Sequence, residues 1–198
     1  MKSTVLAACI SLIFLTSTIS PAADQSKSLK EIHYKVFDRF DINPQGLLHI
    51  SFSDGSDVVI PREHGRYQNE SVLTQEAFED IRISGNRRLI GWLGSYMICA
   101  QSYPCTPELV IYDPERGQRH IPAPRGIVWD WAFINRDAQV VIHYGFPHGD
   151  VAGAYALYDA VSGEKVADYD AAEIPEWIRE FQREKNRQIH RQSDEPGK

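Results

Sequence analysis

Short apolar runs, each followed by a polar turn with glycine, recur between residues 78 and 169 in the manner of strands joined by hairpins. Two of them, Leu109–Gln118 and Ala156–Lys165, end alike, with Tyr-Asp and then a glycine four residues after the aspartate. The carboxylate can accept backbone N–H groups of the turn, and the glycine can adopt a left-handed conformation without steric cost. Both runs therefore predict a strand entering a tight hairpin, with positive φ at Gly117 and Gly163.

A second predicted hairpin precedes each of these two. Its turn lies at Ser84–Arg87 in the first copy and at Asn135–Asp137 in the second. Each copy thus contains four predicted antiparallel strands in about 45 residues, the size of a propeller blade. The copies resemble the Trp-Asp repeats of β-propellers, with Tyr-Asp in place of Trp-Asp. A partial third copy with one predicted hairpin occupies residues 47–60.

The predicted fold is all-β with a C-terminal helix, an antiparallel meander of two to three blade-like four-stranded units. Propellers need about four or more blades to close. The resemblance therefore implies an incomplete, propeller-like arrangement, and a sandwich whose strands share turn chemistry is the alternative. Residues 31–42 alternate between apolar and polar side chains and predict a further strand. Residues 74–78 are predicted to form one or two helical turns capped by Thr74.

A helix is predicted over about residues 171–190. The stretch Asp170–Glu173 has the spacing of a capping box, and apolar residues then recur at intervals of three and four. We expect this helix to dock on the sheet through Trp177 and Phe181.

Both ends of the chain are predicted to lie outside the folded domain. Residues 1–22 have a basic start, an apolar middle and small residues at the exit, which is the pattern of a cleaved signal peptide. Residues 23–191 are predicted to form a single β-rich domain, and residues 192–198 a disordered tail. The expected location is therefore periplasmic or extracellular.

Composition narrows the classes of partner. The 198 residues carry a net charge of −6, and no basic run precedes the predicted helix, so nucleic acid is not an expected partner. The apolar run near the start is too short to span a bilayer comfortably, so we expect no stable membrane insertion after cleavage. A hydrophobic content of 42% and a charged content of 24% are typical of globular domains.

Two cysteines, Cys99 and Cys105, remain after the predicted cleavage. In an exported protein such a closely spaced pair predicts a disulfide. No other cysteine is left to complete a thiolate metal site, and the spacing is not the C-x-x-C of redox enzymes. No metal or cofactor is predicted.

The candidates for catalysis are His143, His148 and Asp150, which lie within eight residues. Two imidazoles and a carboxylate could bind zinc or act as acid and base. A metal-dependent or acid/base hydrolase is therefore an alternative function, although the spacing fits no metal-site signature. The chain contains no nucleophile elbow, phosphate-binding loop or H-E-x-x-H motif.

The candidates for binding lie at equivalent positions of the two copies. Gln101–Cys105 and Tyr144–His148 both contain an aromatic-Pro pair between the second and third strands of their copies. Repeat proteins place equivalent loops on one face, often the binding face. The predicted binding residues are Tyr103, Pro104, Phe146, Pro147 and His148.

These observations favour an exported protein-binding module, with an inhibitor or an immunity-type protein of the periplasm as the specific hypothesis. A structural subunit of an envelope assembly is a third hypothesis.

Aromatic residues at strand positions are predicted to belong to the core rather than to a carbohydrate platform; they are Trp92, Trp129, Trp131, Tyr112 and Tyr158. Strand alternation predicts that Asp130 lies on the opposite face from both tryptophans that flank it.

Overall fold

The computed structural model describes residues 34–68, 71–98, 105–146, 153–169 and 173–193. They form β-strands in three antiparallel sheets and one C-terminal helix, which confirms the predicted all-β fold with a C-terminal helix. The predicted signal peptide and the start of the predicted strand over residues 31–42 lie outside the described residues. Within the described ranges, no helix has the length and apolar character needed to cross a membrane.

Each sheet is a meander whose neighbouring strands are consecutive in the chain. The first sheet contains β1 (Phe37–Ile42), β2 (Leu48–Phe52) and β3 (Asp57–Ile60). The second contains β4 (His64–Gln68), β5 (Ser71–Ile83), β6 (Ile90–Ile98), β7 (Cys105–Asp113) and β8 (Gly117–Ile121). The third contains β9 (Ile127–Ile134), β10 (Gln139–Gly145), β11 (Ala154–Asp159) and β12 (Lys165–Tyr169), and the helix α1 spans Glu176–Ser193.

The two predicted copies correspond to β5–β8 and β9–β12, each with four strands, and the hairpin predicted over residues 47–60 is β2–β3. The prediction of helical turns over residues 74–78 is wrong, because this stretch lies inside β5. Its residues pair with β6, Gln75 opposite Tyr96 and Phe78 opposite Gly94. Backbone pairing with a neighbouring strand overrides the local helix signal here, which is a weak prior in any chain.

The turn chemistry of the two copies is as predicted. Gly117 has a φ of 78° and Gly163 a φ of 74°. An oxygen of Asp113 accepts from the backbone N–H of Glu115 at 2.8 Å. Asp159 forms the equivalent hydrogen bonds in the second copy, including one of 2.6 Å from the backbone N–H of Ser162.

The three sheets and the helix are stacked in chain order. One face of the second sheet packs on the first sheet through a core cluster that includes Phe37, Ile50, Trp92 and Val110. Its other face packs on the third sheet through a larger cluster that includes Leu109, Ile111, Trp131 and Ile142. The outer face of the third sheet is covered by α1 through Ala132, Ile134, Val141, Leu157 and Phe181. The two larger sheets are therefore buried on both faces.

The helix begins at Glu176, five residues later than the start near residue 171 that the sequence predicts. The cause is Pro175, because a residue that precedes proline is disfavoured in the helical conformation. The carbonyl of Pro175 accepts the first helical hydrogen bonds, from the backbone N–H groups of Ile178 at 3.1 Å and Arg179 at 3.3 Å. The predicted docking through Trp177 and Phe181 is confirmed, and Phe181 is fully enclosed between the helix and the third sheet.

Hairpin turns of the second and third sheets meet at one edge of the stack, which we call the turn edge (residues 84–88, 113–117, 135–138 and 159–163). The Asp137 carboxylate accepts from the backbone N–H groups of Gly85 at 3.0 Å and Asn86 at 2.7 Å. Glu180 of α1 accepts from the backbone N–H of Asn135 at 2.8 Å. The second sheet, the third sheet and the helix are thus connected by two carboxylates.

Replacing Asp137 by Asn should lower the free energy of unfolding by about 1–2 kcal/mol, because an amide oxygen can replace only one of the two charged acceptors. Urea denaturation measures the change. The matched control is Asp38→Asn, which removes the same charge from an exposed residue whose ion pair with Arg87 is long, 3.9 Å. Equal losses in the two variants would mean that Asp137 does not connect the two turns.

Candidate functional site

The predicted binding segments follow strands that lead away from the turn edge. β6 and β10 both start at the turns that Asp137 connects, so both run towards the opposite edge of the stack. Among the predicted binding residues, Phe146 is described, and it is 51% exposed directly after β10. The rest lie outside the described residues; they are Tyr103, Pro104, Pro147 and His148. Cys99 lies outside as well, so its disulfide with Cys105 stays a prediction.

Four rings form a row across the third sheet near Phe146. We call this the aromatic row: Trp129, His143, Tyr155 and Tyr169, one from each strand. His143 lies directly opposite Tyr155, and Tyr155 directly opposite Tyr169. The rings of His143 and Tyr155 stack at 4.6 Å and 16°, and Trp129 meets His143 edge-on at 5.0 Å and 84°. Every residue of the row is half-buried.

A β-bulge brings Trp129 into this row. The register of β9 and β10 shifts between His143 and Tyr144, with His143 opposite Asp130 and Tyr144 opposite Val128. The extra residue breaks strict alternation. Trp129 consequently contacts His143, which is opposite Asp130 on the helix side of the sheet.

The bulge corrects two expectations. Asp130 does not lie on the opposite face from Trp129, although it does from Trp131. It is 7% exposed. It accepts from Arg82 at 3.1 Å and forms an ion pair with Lys185 of α1. Trp129 is also not a fully buried core residue, whereas Trp92 and Trp131 are.

The row is supported from two sides. On the helix, Phe181 packs edge-on against Tyr155 at 5.8 Å, and Trp177 against Tyr169 at 6.5 Å. The backbone supports the rings as well, because a Cβ atom added to Gly153 would lie 2.1 Å from Nε2 of His143. A Cβ atom at Gly145 would likewise lie 2.6 Å from the Trp129 ring. Close backbone contact therefore holds the rings in place.

His143 is the described member of the predicted catalytic set, since His148 and Asp150 lie outside the described residues. Its imidazole is enclosed by Tyr155, Trp129 and the backbone of Gly153. Within the described ranges, no group of three or more His, Cys, Asp or Glu side chains is arranged to hold a metal ion. The hydrolase hypothesis stays a prediction that depends on residues beyond these ranges.

A second group of polar side chains, between the first and second sheets, was not identified from the sequence. Nε2 of His120 lies 2.8 Å from Glu63, and Nδ1 lies 3.5 Å from Glu108, which is 4% exposed. The Tyr96 hydroxyl donates to Glu63 at 3.0 Å. These groups are of the types that transfer protons. Their arrangement connects the segment before β4 to β7 and β8.

A third titratable group lies on the solvent-facing side of the first sheet. His49 lies between Asp57, 2.8 Å from Nε2, and Asp41, 3.2 Å from Nδ1. Hydrogen bonds to Asp57 and then Asp41 raise the pKa of His49 above its usual value of 6.5. The three side chains come from β3, β2 and β1, so cross-strand pairing alone brings them together.

The charge of His49 should make a stabilising contribution that depends on pH. Because its folded pKa is raised, the contribution is complete below the unfolded pKa of about 6.5 and is lost as pH rises through the folded value. NMR titration of the His49 ring should show a larger fall in pKa for Asp57→Asn than for Asp41→Asn. In Asp38→Asn, which does not contact the ring, the pKa should not move. An equal shift in all three variants would contradict the assignment.

Gly153→Ala should destabilise the protein by about 2 kcal/mol or more, through positive φ and overlap with His143. Gly55→Ala is the control, because Gly55 has a similar φ, 82° against 76°, and nothing within 4 Å of an added Cβ. Chemical denaturation measures the loss of unfolding free energy in both variants. The additional loss in Gly153→Ala is the part that is due to overlap with His143. An equal loss of unfolding free energy in the two variants would show that the backbone at Gly153 is not in close contact with the His143 ring.

Comparison with known proteins identifies no relative from which a function could be transferred. No family model matches the chain, and no curated protein or solved structure is significantly similar to it. The functional conclusion therefore rests on the geometry of the described residues.

Proposed function

We propose that this protein is an exported binding module that recognises another protein through the aromatic row and the adjoining segment that begins at Phe146. The observation that carries the proposal is the row itself, four half-buried rings crossing all four strands of the third sheet. Large aromatic side chains dominate the energetic centres of protein interfaces. Phe146, 51% exposed directly after β10, adds a further aromatic side chain three residues after His143 in the chain.

Rigidity favours this surface for binding. The rings are held by Phe181 and Trp177 of the helix and by the backbone at Gly145 and Gly153. A surface that is ordered before binding loses little conformational entropy when the partner docks. Aromatic side chains, with only two rotatable bonds each, add contact area at low entropic cost.

The stacking geometry favours a protein over a sugar or a nucleobase. His143 and Tyr155 are nearly parallel at 4.6 Å, so each ring covers one face of the other. Stacking platforms for bases instead present free ring faces in a positively charged groove. The chain has a net charge of −6, which opposes a nucleic-acid partner.

The proposed location is the periplasm or the extracellular space, on the basis of the signal-like pattern in residues 1–22. An inhibitor or an immunity-type protein fits this location, since either acts by occupying a partner's surface without chemistry of its own. A structural subunit of an envelope assembly would use the same surface for a permanent contact.

A photo-reactive amino acid at position 146, introduced in the cells that make the protein, should form a cross-link to a partner. The matched control is position 59, because Val59 is comparably exposed at 46% but lies on the first sheet. The cross-linked species is identified by mass spectrometry. No cross-link at 146, or the same products at both positions, would contradict the proposal.

With the partner in hand, Phe146→Ala should weaken binding by about 2 kcal/mol, roughly 30-fold, while leaving the melting temperature nearly unchanged. Tyr103→Ala should behave in the same way. A variant that mainly lowers the melting temperature would show that its ring belongs to the core instead.

The hydrolase alternative has a separate outcome. Stoichiometric zinc in the purified protein, lost in His148→Ala, would favour a metal enzyme over a binding module.

A further inference from the structure

A cavity of about 390 Å³ opens at the turn edge, on the side of the stack away from Phe146. It is lined by residues of all four turns of the turn edge, together with Tyr34 and Lys35. Its volume lies within the range of small-molecule sites, about 300–1,000 Å³. We propose that this cavity binds an anion that carries more than one phosphate or carboxylate group. The proposal does not depend on the protein-binding surface above.

The cavity presents cations from separate turns. Arg88 comes from the β5–β6 turn, Arg116 from the β7–β8 turn and Arg136 from the β9–β10 turn. Lys35 also lines the cavity, and its ammonium donates to the Ser56 hydroxyl at 3.2 Å. The side chains of Arg116 and Arg136 make no hydrogen bond or ion pair to any residue in the described ranges. Guanidinium groups match phosphate and carboxylate oxygens in paired, bidentate hydrogen bonds. Three of them around one cavity favour a ligand with several anionic groups.

Two of the three carboxylates that line the cavity accept from backbone N–H groups and not from the arginines. Asp137 directs both carboxylate oxygens to the backbone N–H groups of Gly85 and Asn86. Asp113 accepts from the backbone N–H of Glu115 at 2.8 Å. These two carboxylates shape the turns, and Glu115 is the remaining acid of the lining. The cavity lining therefore carries four cations against three carboxylates, an excess of one positive charge in a chain of net charge −6.

Arg88 is already ordered in the cavity wall. Its guanidinium carbon lies 3.3 Å from the centroid of the Tyr34 ring, in a cation–π contact. This contact satisfies the flat face of the guanidinium and leaves its N–H groups, which lie in the plane, for a ligand. The ordering entropy of one long side chain has thus been lost before binding.

The backbone at Arg136 is strained. Asn135, Arg136 and Asp137 have consecutive φ values of 50°, 53° and 68°. Asn and Asp tolerate this left-handed region, but it costs Arg roughly 1–2 kcal/mol, and such strain is concentrated at functional sites. Hydrogen bonds from the neighbouring layers, through Glu180 and Asp137, hold the turn in this form.

A second cavity of about 410 Å³ shares Arg136 but has paired cations. It is lined by residues of the second sheet, the third sheet and α1. There Arg82 binds Asp80 at 2.6 Å and Asp130 at 3.1 Å, and Arg187 pairs with Glu184 at 3.0 Å. The contrast assigns the anion site to the turn-edge cavity, where none of its three arginines pairs with a carboxylate of the described residues.

The test titrates the purified protein with tripolyphosphate and, separately, with citrate, at an ionic strength of about 0.02 M where screening is weak. Calorimetry should detect at least one of the two with a dissociation constant below about 1 mM. Arg116→Gln and Arg136→Gln should each weaken it about tenfold, the loss of one charge-assisted contact. Tighter binding of tripolyphosphate assigns the site to phosphate groups, and tighter binding of citrate assigns it to carboxylates.

Arg125→Gln is the matched control. Arg125 is an exposed arginine in the linker between β8 and β9, which lies at the opposite edge from the turns. Its replacement removes the same charge and should change the affinity less than twofold. An equal loss of anion affinity in Arg116→Gln, Arg136→Gln and Arg125→Gln would mean that only the net charge of the protein matters, and the proposed site would be wrong. Absence of binding to both anions would overturn it as well.

Arg136→Gly provides a second readout. Glycine relieves the strain, so the melting temperature should rise by about 2–4 °C, while the anion affinity falls at least as far as in Arg136→Gln. Retained affinity in the glycine variant would show that Arg136 does not contact the ligand, and the proposal would fail.

Discussion

The packing of Trp131 directly on the backbone of Gly91 sets the distance between the two larger sheets, and the rest of the structure depends on it. A Cβ atom at Gly91 would lie 2.6 Å from the Trp131 ring and 2.7 Å from Ile111. Trp131 is fully buried, and its indole N–H donates to the Asp80 carbonyl at 3.3 Å. Because Trp131 packs over Gly91, which has no side chain, β9 of the third sheet approaches β6 of the second sheet closely.

The stack also has two outer faces, and each must either be polar or be covered. The first sheet ends it with a polar outer face, where Asp41, His49 and Asp57 meet solvent. The third sheet has an apolar outer face, and α1 covers it with Phe181 and the side chain of Trp177. The helix takes the place that another sheet would take in a closed propeller. Three blade-like sheets and a helix therefore bury their cores without forming a ring.

The two edges of the stack differ in chemistry. At the turn edge, carboxylates accept backbone N–H groups and arginines surround a cavity. Near the end of β10, aromatic rings cross the third sheet next to exposed Phe146. Both features rely on support from another layer, Glu180 for the strained turn and Phe181 for the aromatic row. The helix thus contributes to both proposed binding surfaces while it covers the core.

The sequence by itself determined the hairpins, because turn formation depends on residues close in the chain. The Asp-to-backbone hydrogen bonds and positive φ at Gly117 and Gly163 follow from local chemistry, as do the four strands of each copy. The helix was also predicted from local pattern, but the capping-box spacing placed its start five residues before the observed start after Pro175.

Only the tertiary structure decided which residues meet across strands and layers. The strand over residues 74–78 required β6 as a partner, and the bulge at Trp129 required the register of β10. The aromatic row joins residues 129 and 169, and the turn-edge cavity joins four separate turns. Such groupings depend on sheet register and on how layers stack, which are set by contacts between residues far apart in the chain.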